Sequence, residues 1–349
     1  MVSPDLLERA QALHRGHPVV ECHTDIAVDT YRRRRRGEEA PLRSDYLKRL
    51  REGGVRFQFM AVGGDVPGDG YDGLGRPQHR ALEMIDDVLE EVVQCPELRI
   101  VESPADLDEA ISHDQVGLIL HLEGLKPLVG KTAMLEHLHR LGLRSAQLTW
   151  NGSNEVADGV GVASPGGLTR LGQQIVSQLE RLGILIDVSH LSEPSFWELT
   201  EVVSCPIVAS HANAWALCPH PRNLKDDQIR AIAESGGYVG ACFLPAFIGE
   251  EATLERLLDH VDHIVGLVGV DAAAVGPDYI EFAPELLLGQ SEGVDYGAST
   301  VYPEGLRRVE TLPVFTAGLL GRGYGEEDAA KIVGGNALRV LRRVLPALT

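Results

Sequence analysis

Eight short apolar segments, separated by amphipathic stretches, most constrain how this sequence can fold. They are rich in β-branched and aliphatic residues and cover 18–22, 55–62, 116–122, 143–149, 184–188, 206–210, 238–243 and 273–276. Apolar side chains recur at helical spacing in 80–93, 171–182, 226–234 and 254–268. Strands that are apolar almost throughout are typical of a parallel sheet covered by helices. The alternation therefore predicts an α/β fold, a single (β/α)8 TIM-type barrel.

An open, doubly wound sheet is the alternative arrangement of alternating strands and helices. That fold commonly binds nucleotides through a glycine-rich turn, but no GxGxxG motif follows the first predicted strand and no GxxxxGK[ST] motif occurs. No composition break marks a linker, and no internal repeat divides the 349 residues. We therefore predict one barrel domain over residues 1–349, with helical extensions at its N- and C-terminal ends.

The charge balance narrows the class of partner. Lys and Arg number 32 against 51 Asp and Glu, which gives a formal net charge of −19. Such a surface repels polyphosphate and anionic lipid, so we expect a small-molecule substrate, no nucleic acid and no membrane. The first residues lack the apolar core of a secretory signal, which favours a cytoplasmic protein. The five cysteines are odd in number and form no CxxC pair, so we expect reduced thiols.

Histidines and carboxylates collect at the ends of five predicted strands, and in a barrel these ends form the active-site face. They are His23 and Asp25 after the first strand, Glu123 after the third, His190 after the fifth, His211 after the sixth and Asp278 after the eighth. Carboxylates and imidazoles gathered in this way would cost much desolvation and repel each other unless cations lay between them. Imidazole and carboxylate ligands without thiolate suit zinc or a similar divalent ion.

The spacing indicates two metal ions. His23 and Asp25 can hold one ion, His190 and His211 the other, and Glu123 can bridge them with its two oxygens. Two ions about 3.5 to 4 Å apart with a bridging hydroxide form a strong nucleophile and polarise the carbonyl that it attacks. Hydrolysis of an amide-like bond follows, and Asp278 can carry the proton to the leaving amine.

Six stretches of the sequence match one known family. They are HTD at 23–25, LEG at 122–124, LTWNGSNEVADG at 148–159, IDVSH at 186–190, SHANAWALCPHPRNLKDDQIRAIAESGGYVG at 210–240 and VGPD at 275–278. In these stretches the chain resembles the membrane (renal) dipeptidases, binuclear zinc hydrolases with an amidohydrolase-type barrel. The resemblance implies two Zn²⁺ ions per chain. It assigns His23, Asp25 and the bridging Glu123 to one ion, and Glu123, His190 and His211 to the other.

The same resemblance implies an activity and further site residues. Asp278 matches the acid/base group, and Arg222 matches the arginine that binds the C-terminal carboxylate of the substrate. A guanidinium fork suits a carboxylate better than an ammonium group does. The implied reaction is release of an amino acid from a dipeptide, often with a D-residue at the C-terminal side. Homodimers are common in the family, so a homodimer is also expected.

Two stretches depart from the family pattern. Trp150 stands where the family often has a histidine that steadies the carbonyl oxygen, and an indole donates one hydrogen bond but takes no charge. Residues 279–281 also differ from the usual sequence after the acid/base. We expect Trp150 and its neighbour Asn151 to contact the substrate. Asn151 could equally support nearby side chains or shape the turn.

The departures keep two other functions open. One is a different hydrolase on the same metal core, acting on an N-acyl amino acid, a cyclic amide or a lactone. The other is a non-catalytic descendant that binds a peptide-like metabolite. We expect no role in the site for two further segments. The five arginines at 32–36 are interpreted as a solvated face, and the glycine-rich segment 63–75 is interpreted as a flexible loop. His220, close to Arg222, could help to position that arginine, but we expect it to be a surface-loop histidine.

Overall fold

A curved parallel sheet forms the centre of the fold in the computed structural model, which describes residues 2–65, 77–280, 282, 290–297 and 301–347. Most of the glycine-rich segment 63–75 lies outside the described residues. The strands are β1 Val19–Thr24, β2 Val55–Gly64, β3 Leu98–Ile100, β4 Val116–Glu123, β5 Leu143–Gln147, β6 Leu185–Asp187, β7 Ile207–Val208, β8 Val239–Ala241 and β9 Ala273–Val275. A small antiparallel hairpin follows, with β10 Gln290–Ser291 and β11 Val294–Asp295.

The strands follow one another around the sheet in the predicted order. β1, β2, β4, β5, β6 and β7 pair in parallel, each with the next. Ala209, just after β7, pairs with Val239 of β8, β8 pairs with β9, and β9 lies beside β1. Each of the eight predicted segments overlaps a strand of this series. The prediction of a (β/α)8-type architecture is confirmed.

The strand boundaries differ from the predicted ones in two ways. β3 was not predicted; its three residues pair with the first part of β4. β6 and β7 are shorter than their apolar segments because the chain leaves the ladder early. At those points the backbone N–H groups of Ser189 and Ser210 donate to the carboxylate of Asp187, at 2.9 and 3.0 Å. The buried Asp187 carboxylate therefore accepts hydrogen bonds from backbone N–H groups that, in longer strands, would have bonded to a neighbouring strand.

Helices cover the outside of the sheet. They are α1 Pro4–Gly16, α2 Ile26–Arg35, α3 Leu47–Glu52, α4 Pro77–Val93, α5 Pro104–Ser112, α6 Thr132–Arg140, α7 Arg170–Leu182, α8 Glu193–Val202, α9 Asp226–Ser235, α10 Pro245–Ile248, α11 Leu254–Val268, α12 Leu312–Gly321, α13 Glu326–Ala330 and α14 Asn336–Val344. Among the described residues, no helix is both long enough and apolar enough to cross a bilayer. The five cysteines form no disulfide.

The alternation along β4 shows how the sheet divides the core. All eight residues of β4 are buried. Leu118, Leu120 and Leu122 pack in one apolar cluster, whereas Ile119 packs in another, so alternate side chains face opposite sides of the strand. Glu123 shares the parity of Ile119. The period of two therefore carries this carboxylate to the end of the sheet on that face, where the other strand ends meet it.

The arginine run 32–36 forms ion pairs, and only its last two residues lie on a solvated face. Arg33 donates to Asp45 at 2.8 Å, and Arg34 donates to Asp87 of α4 at 2.9 Å. The first three arginines are buried or half-buried, and only the last two are exposed. The expectation of a solvated face is therefore wrong for the first three residues. Because the net charge of −19 reflects an excess of Asp and Glu, carboxylate partners are available to these arginines. The pair of Arg34 with Asp87 links α2 to α4.

Candidate metal centre

The six histidines and carboxylates predicted at the strand ends lie together. His23 is the fifth residue of β1, Asp25 follows that strand, and Glu123 is the last residue of β4; His190, His211 and Asp278 each lie three residues beyond the ends of β6, β7 and β9. The β1–β2 pairing shifts register between Glu21 and Thr24, the stretch that contains His23. A bulge of this kind re-aims a side chain and is common beside active sites.

One cluster forms around Glu123. Its Oε1 lies 3.6 Å from Nε2 of His23, 3.2 Å from Nε2 of His190 and 3.9 Å from Nε2 of His211. The Nε2 atoms of His190 and His211 are themselves 3.0 Å apart. Glu123 therefore stands between histidines delivered by β1, β6 and β7. All four side chains are at least nine-tenths buried.

A second cluster shares His23 with the first. Ligand atoms of His23, Asp25 and Asp278 lie within 4.8 Å of one another, as do those of His23, Glu123 and His211. Nε2 of His23 is 3.7 Å from Oδ1 of Asp278. The structure therefore brings all five predicted metal ligands, and Asp278 with them, to one place at the carboxyl ends of the strands.

The buried carboxylates of this site have raised pKa values and would be stabilised in their ionised form by a nearby positive charge. Burial, together with the neighbouring Asp25 and Asp278 carboxylates, raises the pKa of Glu123 well above its usual value. Burial and the nearby Asp25 raise the pKa of Asp278 to about 8, and burial raises the pKa of Asp25 to about 6. Without a cation between them, these groups resist ionisation. A divalent cation would reverse the shifts.

His190 is held as a neutral ligand by the loop after β5. Its Nδ1–H donates to Oδ1 of Asn151 at 2.7 Å, and Asn151 in turn donates to the hydroxyl oxygen of Tyr296 at 2.7 Å. This bond places the ring proton on Nδ1, so Nε2 presents a lone pair towards Glu123. His190 also has a left-handed backbone, with φ of 67°. Side-chain support of this kind stabilises a strained conformation at a functional site.

His211 is held in the same tautomer by a different group. Ser210 donates its hydroxyl proton to Oδ2 of Asp187, so its oxygen accepts from Nδ1–H of His211 at 2.8 Å. Gln147 donates to the same carboxylate oxygen at 3.0 Å. Nε2 of His211 therefore also carries a lone pair. Burial lowers the pKa of both this histidine and His190 well below the usual value, so both rings are neutral.

These donor atoms fit a metal ion. The Nε2 lone pairs of His190 and His211 and an oxygen of Glu123 converge, and neither imidazole has an Nε2 proton to share. Among the described residues, neither ring nitrogen of the buried His23 has a hydrogen-bond partner. Acceptors facing each other at such distances are repulsive unless a cation lies between them. Neutral imidazole and carboxylate are ligands that zinc and similar divalent ions accept.

Arg222 lies beside this centre. It is 2% exposed, one terminal nitrogen donates to the backbone oxygen of His211 at 3.2 Å, and its guanidinium lies over the Phe247 ring at 5.2 Å. Nε has no partner among the described residues. A buried guanidinium with an unused donor is suited to an anionic group of a ligand. The neighbouring His220 accepts from the Arg222 backbone N–H at 3.2 Å, and its Nε2 contacts the backbone oxygen of Asp295 at 2.8 Å.

Comparison with known proteins identifies the family. The family model for membrane dipeptidases, peptidase family M19, matches residues 7–347. The chain belongs to peptidase family M19. This membership confirms the resemblance drawn from the sequence motifs, and with it the prediction of a hydrolase of peptide bonds.

Several known proteins are similar to this chain over most of its length. A Klebsiella pneumoniae protein, described as an uncharacterized protein in the pqqA 5′ region, is 32% identical over 80% of this chain and 98% of its own length. Dipeptidase aclJ of Aspergillus oryzae is 29% identical over 93% of this chain and 77% of its own. A Rhodobacter sphaeroides metallo peptidase, solved with a phosphinate mimic of the dipeptide L-Ala-D-Ala, is 27% identical. The match covers 94% of this chain and 99% of that protein's chain, with a TM-score of 0.80.

The structure bears on two expectations for this M19 peptidase. Asn151 was expected to contact substrate, or else to support nearby side chains or shape the turn; it is fully buried, and its amide contacts His190 and Tyr296. These contacts favour support of a candidate ligand. His220 was expected to be a surface histidine, but it is half-buried and links the Arg222 segment to the hairpin.

Trp150 is half-buried at the edge of the M19 centre. Its ring stacks on Tyr296 with centroids 6.3 Å apart and planes 15° apart, and it lies 5.8 Å from the His190 ring. Asp65 accepts from the Trp150 backbone N–H at 3.4 Å and from the side chain of Asn154 at 2.7 Å. The residue that departs from the family pattern thus stands beside a metal-ligand candidate on a loop that a buried carboxylate supports.

Sequence reasoning missed Tyr296 and the part played by Ser210. Tyr296 lies 145 residues from Asn151, so no local pattern could have joined them. Ser210 did have a signal, because it directly precedes His211 and follows a strand that pairs beside Asp187. Its neighbours made it a candidate for orienting the imidazole.

Proposed function

We propose that this chain is a metal-dependent dipeptidase that uses two divalent ions, zinc by ligand preference. The observation that carries the proposal is the convergence of unprotonated Nε2 atoms of His190 and His211 on Oε1 of Glu123, with His23 on its other side. Family membership supplies the class of reaction. The two together support peptide-bond hydrolysis at this centre.

The residues divide between two ions that share one carboxylate. His23, Asp25 and Glu123 would hold the first, and Glu123, His190 and His211 the second; two overlapping ligand groups at this place support the division. When bound, such ions polarise the scissile carbonyl and activate a water molecule. Asn151 and Ser210 hold the two imidazoles in the tautomer that this binding requires.

Asp278 is the group we assign to proton transfer. It lies 3.7 Å from His23, on the Asp25 side of the cluster, and its backbone oxygen accepts from the Tyr302 hydroxyl at 2.6 Å. Its φ of 57° is a strained conformation that this bond helps to maintain. Asp278 would take a proton from the attacking water and deliver it to the amine nitrogen that leaves.

Arg222 is the group we assign to the C-terminal carboxylate of the substrate. Its unused Nε and its position beside His211 support this role. Phe247 packs against the guanidinium and keeps water from one of its faces. A related M19 enzyme was solved with a mimic of L-Ala-D-Ala, which supports tolerance of a D-residue at the C-terminal side.

The test is hydrolysis of a panel of small substrates by the zinc-loaded protein. The panel contains L,L and L,D dipeptides, N-acyl amino acids, a cyclic dipeptide and a lactone. Asp278→Asn is the matched variant because it keeps the shape of the side chain and removes the proton acceptor. We expect several dipeptides to be cleaved and the variant to lose at least about 100-fold in kcat, with both ions still bound.

Other outcomes would overturn the proposal. Cleavage of only N-acyl amino acids, the cyclic amide or the lactone would identify a different hydrolase on the same centre. Binding of two ions without turnover of any member of the panel would identify a metabolite-binding descendant. Trp150→His is the informative second variant in either case, because it restores the residue that the family often has at this position.

A further inference from the structure

A cavity of about 440 Å³ lies between the segments that follow β6 and β7. Its wall includes His190 on one side and Arg222 on another, so it adjoins both the metal centre and the guanidinium. The volume is many times the about 30 Å³ that a water molecule occupies in the liquid and falls within the range of small-molecule sites. Nothing in the roles described above uses this space.

Apolar residues form the larger part of the remaining wall, which also includes Ser189, Ser192, Asn223 and Gln228. Val160, Leu191, Trp215 and Leu224 line it. Trp215 is 43% exposed, a high exposure for a large apolar ring. Such a ring gains most if an apolar ligand group covers it.

Two oppositely charged residues also line this cavity. Lys225 and Glu193 both line it and form an ion pair at 2.7 Å, with both side chains 45% exposed. The pair neutralises its own charges, so it places no net charge in the space beyond it. An uncharged side chain is the group that such a cavity suits.

The position of the cavity follows the geometry of a dipeptide. The scissile carbonyl belongs at the Glu123 cluster, and the C-terminal carboxylate belongs at Arg222. The α-carbon of the C-terminal residue therefore lies between these two points, next to the wall that His190 and Arg222 share with the cavity. We propose that this cavity receives the side chain of the C-terminal residue and selects dipeptides in which that side chain is large and apolar or aromatic. This inference rests on the proposed dipeptidase function.

The configuration of the C-terminal residue decides whether its side chain can enter the cavity. When the amide nitrogen and the carboxylate of the C-terminal residue are both held, its side chain can leave the α-carbon in only one direction for each enantiomer. Only one of the L and D series can then enter the cavity. A residue that lines the cavity should affect substrates of that series alone, whereas a residue needed for the fold should affect all substrates equally.

The experiment compares Trp215→Ala with Leu217→Ala in the metal-loaded enzyme. Both side chains are exposed, by 43% and 44%, and lie on the same loop, but only Trp215 lines the cavity. The substrates carry N-terminal L-Ala, followed by Gly or by Leu or Phe in each of the L and D forms. The readout is kcat/KM for each substrate relative to the Gly substrate, with kcat and KM resolved.

We expect the wild-type enzyme to prefer the Phe and Leu substrates of one series over the Gly substrate. In Trp215→Ala that preference should fall about fivefold to tenfold, mainly through KM, with the other series and the Gly substrate within about twofold of wild type. Leu217→Ala should leave every ratio within about twofold. Val160→Phe is a second variant that fills the cavity, and it should exclude Phe while retaining the Gly substrate.

The outcomes separate the two proposals. If the wild-type enzyme cleaves no dipeptide, the proposed function fails and the assignment of the cavity fails with it. If it cleaves dipeptides but shows no preference for a large C-terminal residue, the cavity proposal alone is overturned. The same holds if Trp215→Ala lowers kcat/KM equally for all substrates, or if Val160→Phe leaves cleavage of the Phe substrate intact.

Discussion

Replacement of Asn151 by alanine tests how this protein holds its metal ligands. Asn151 is fully buried, accepts from Nδ1 of His190 at 2.7 Å and donates to Tyr296 at 2.7 Å. Truncation leaves the imidazole N–H buried without an acceptor, which costs about 1–3 kcal/mol. About 1.4 kcal/mol corresponds to a factor of ten in an equilibrium constant. We therefore expect the affinity of the site that includes His190 to fall about 10- to 100-fold, as for other residues that orient a metal ligand.

The assay is competition for zinc between the protein and a chromophoric chelator, with the number of bound ions counted by elemental analysis. Asn154→Ala is the matched control. Asn154 lies on the same loop and also donates two half-buried side-chain bonds, to Asp65 and to the backbone oxygen of Leu148, both at 2.7 Å. It touches none of the candidate ligands, so its loss should lower the melting temperature but leave zinc affinity within about twofold.

Two results would refute this reasoning. One is wild-type zinc affinity at both sites in Asn151→Ala, which would mean that His190 needs no support from this amide. The other is an equal loss of affinity in Asn151→Ala and Asn154→Ala, which would mean that the whole loop, and not the bond to His190, sets the affinity. A melting curve of each metal-free variant shows whether the fold is retained.

Three further perturbations have expected outcomes. Arg222→Lys keeps the positive charge but loses the guanidinium fork, so KM for a dipeptide should rise about 10-fold or more with little change in kcat. The preference for a dipeptide with a free C-terminal carboxylate over the corresponding dipeptide amide should also become smaller. Burial raises the pKa of Glu21 to about 8, above its ordinary 4.5. The folded protein therefore keeps a proton that the unfolded chain has lost, and its stability falls as pH rises from about 5 to about 8. The melting temperature of Glu21→Gln should exceed that of wild type by more at pH 8 than at pH 5. Arg34→Ala leaves Asp87 without one of its cations. Because Asp87 is only 6% exposed, we expect the free energy of unfolding, measured by chemical denaturation, to fall by about 2–4 kcal/mol. Lys48→Ala is the control: it breaks only an exposed ion pair and should lower the free energy of unfolding by less than about 0.5 kcal/mol.

The convergence of the candidate ligands could be predicted because each of them has a local signal. His23, Asp25, Glu123, His190 and His211 directly end or follow apolar segments, and the architecture alone sends the ends of parallel strands to one face. Family motifs then added Arg222, which no strand end marks. That residue came from resemblance, and the structure supplies its burial, its unused Nε and its position beside His211.

What the sequence could not predict depends on residues far apart along the chain. The pattern 32–36 is typical of a charged surface, yet Arg34 is half-buried and pairs with Asp87 and Glu90 of α4, a helix that begins more than 40 residues later. The environment of His220 likewise depends on Asp295, 75 residues away. None of these partners stands at a helical or strand spacing from the residue that it contacts.

By itself, the sequence determined the succession of strands and helices and the residue types at the strand ends, because hydrophobic periodicity and strand polarity act over short stretches. Only the tertiary structure decided which nitrogen of each imidazole faces Glu123. That choice depends on whether Asn151 or Ser210 occupies the other nitrogen, and on Tyr296 and Asp187 behind them. A proton position on a ring is set by its partner in space, and contacts across 145 residues exist only after the chain has closed around the site.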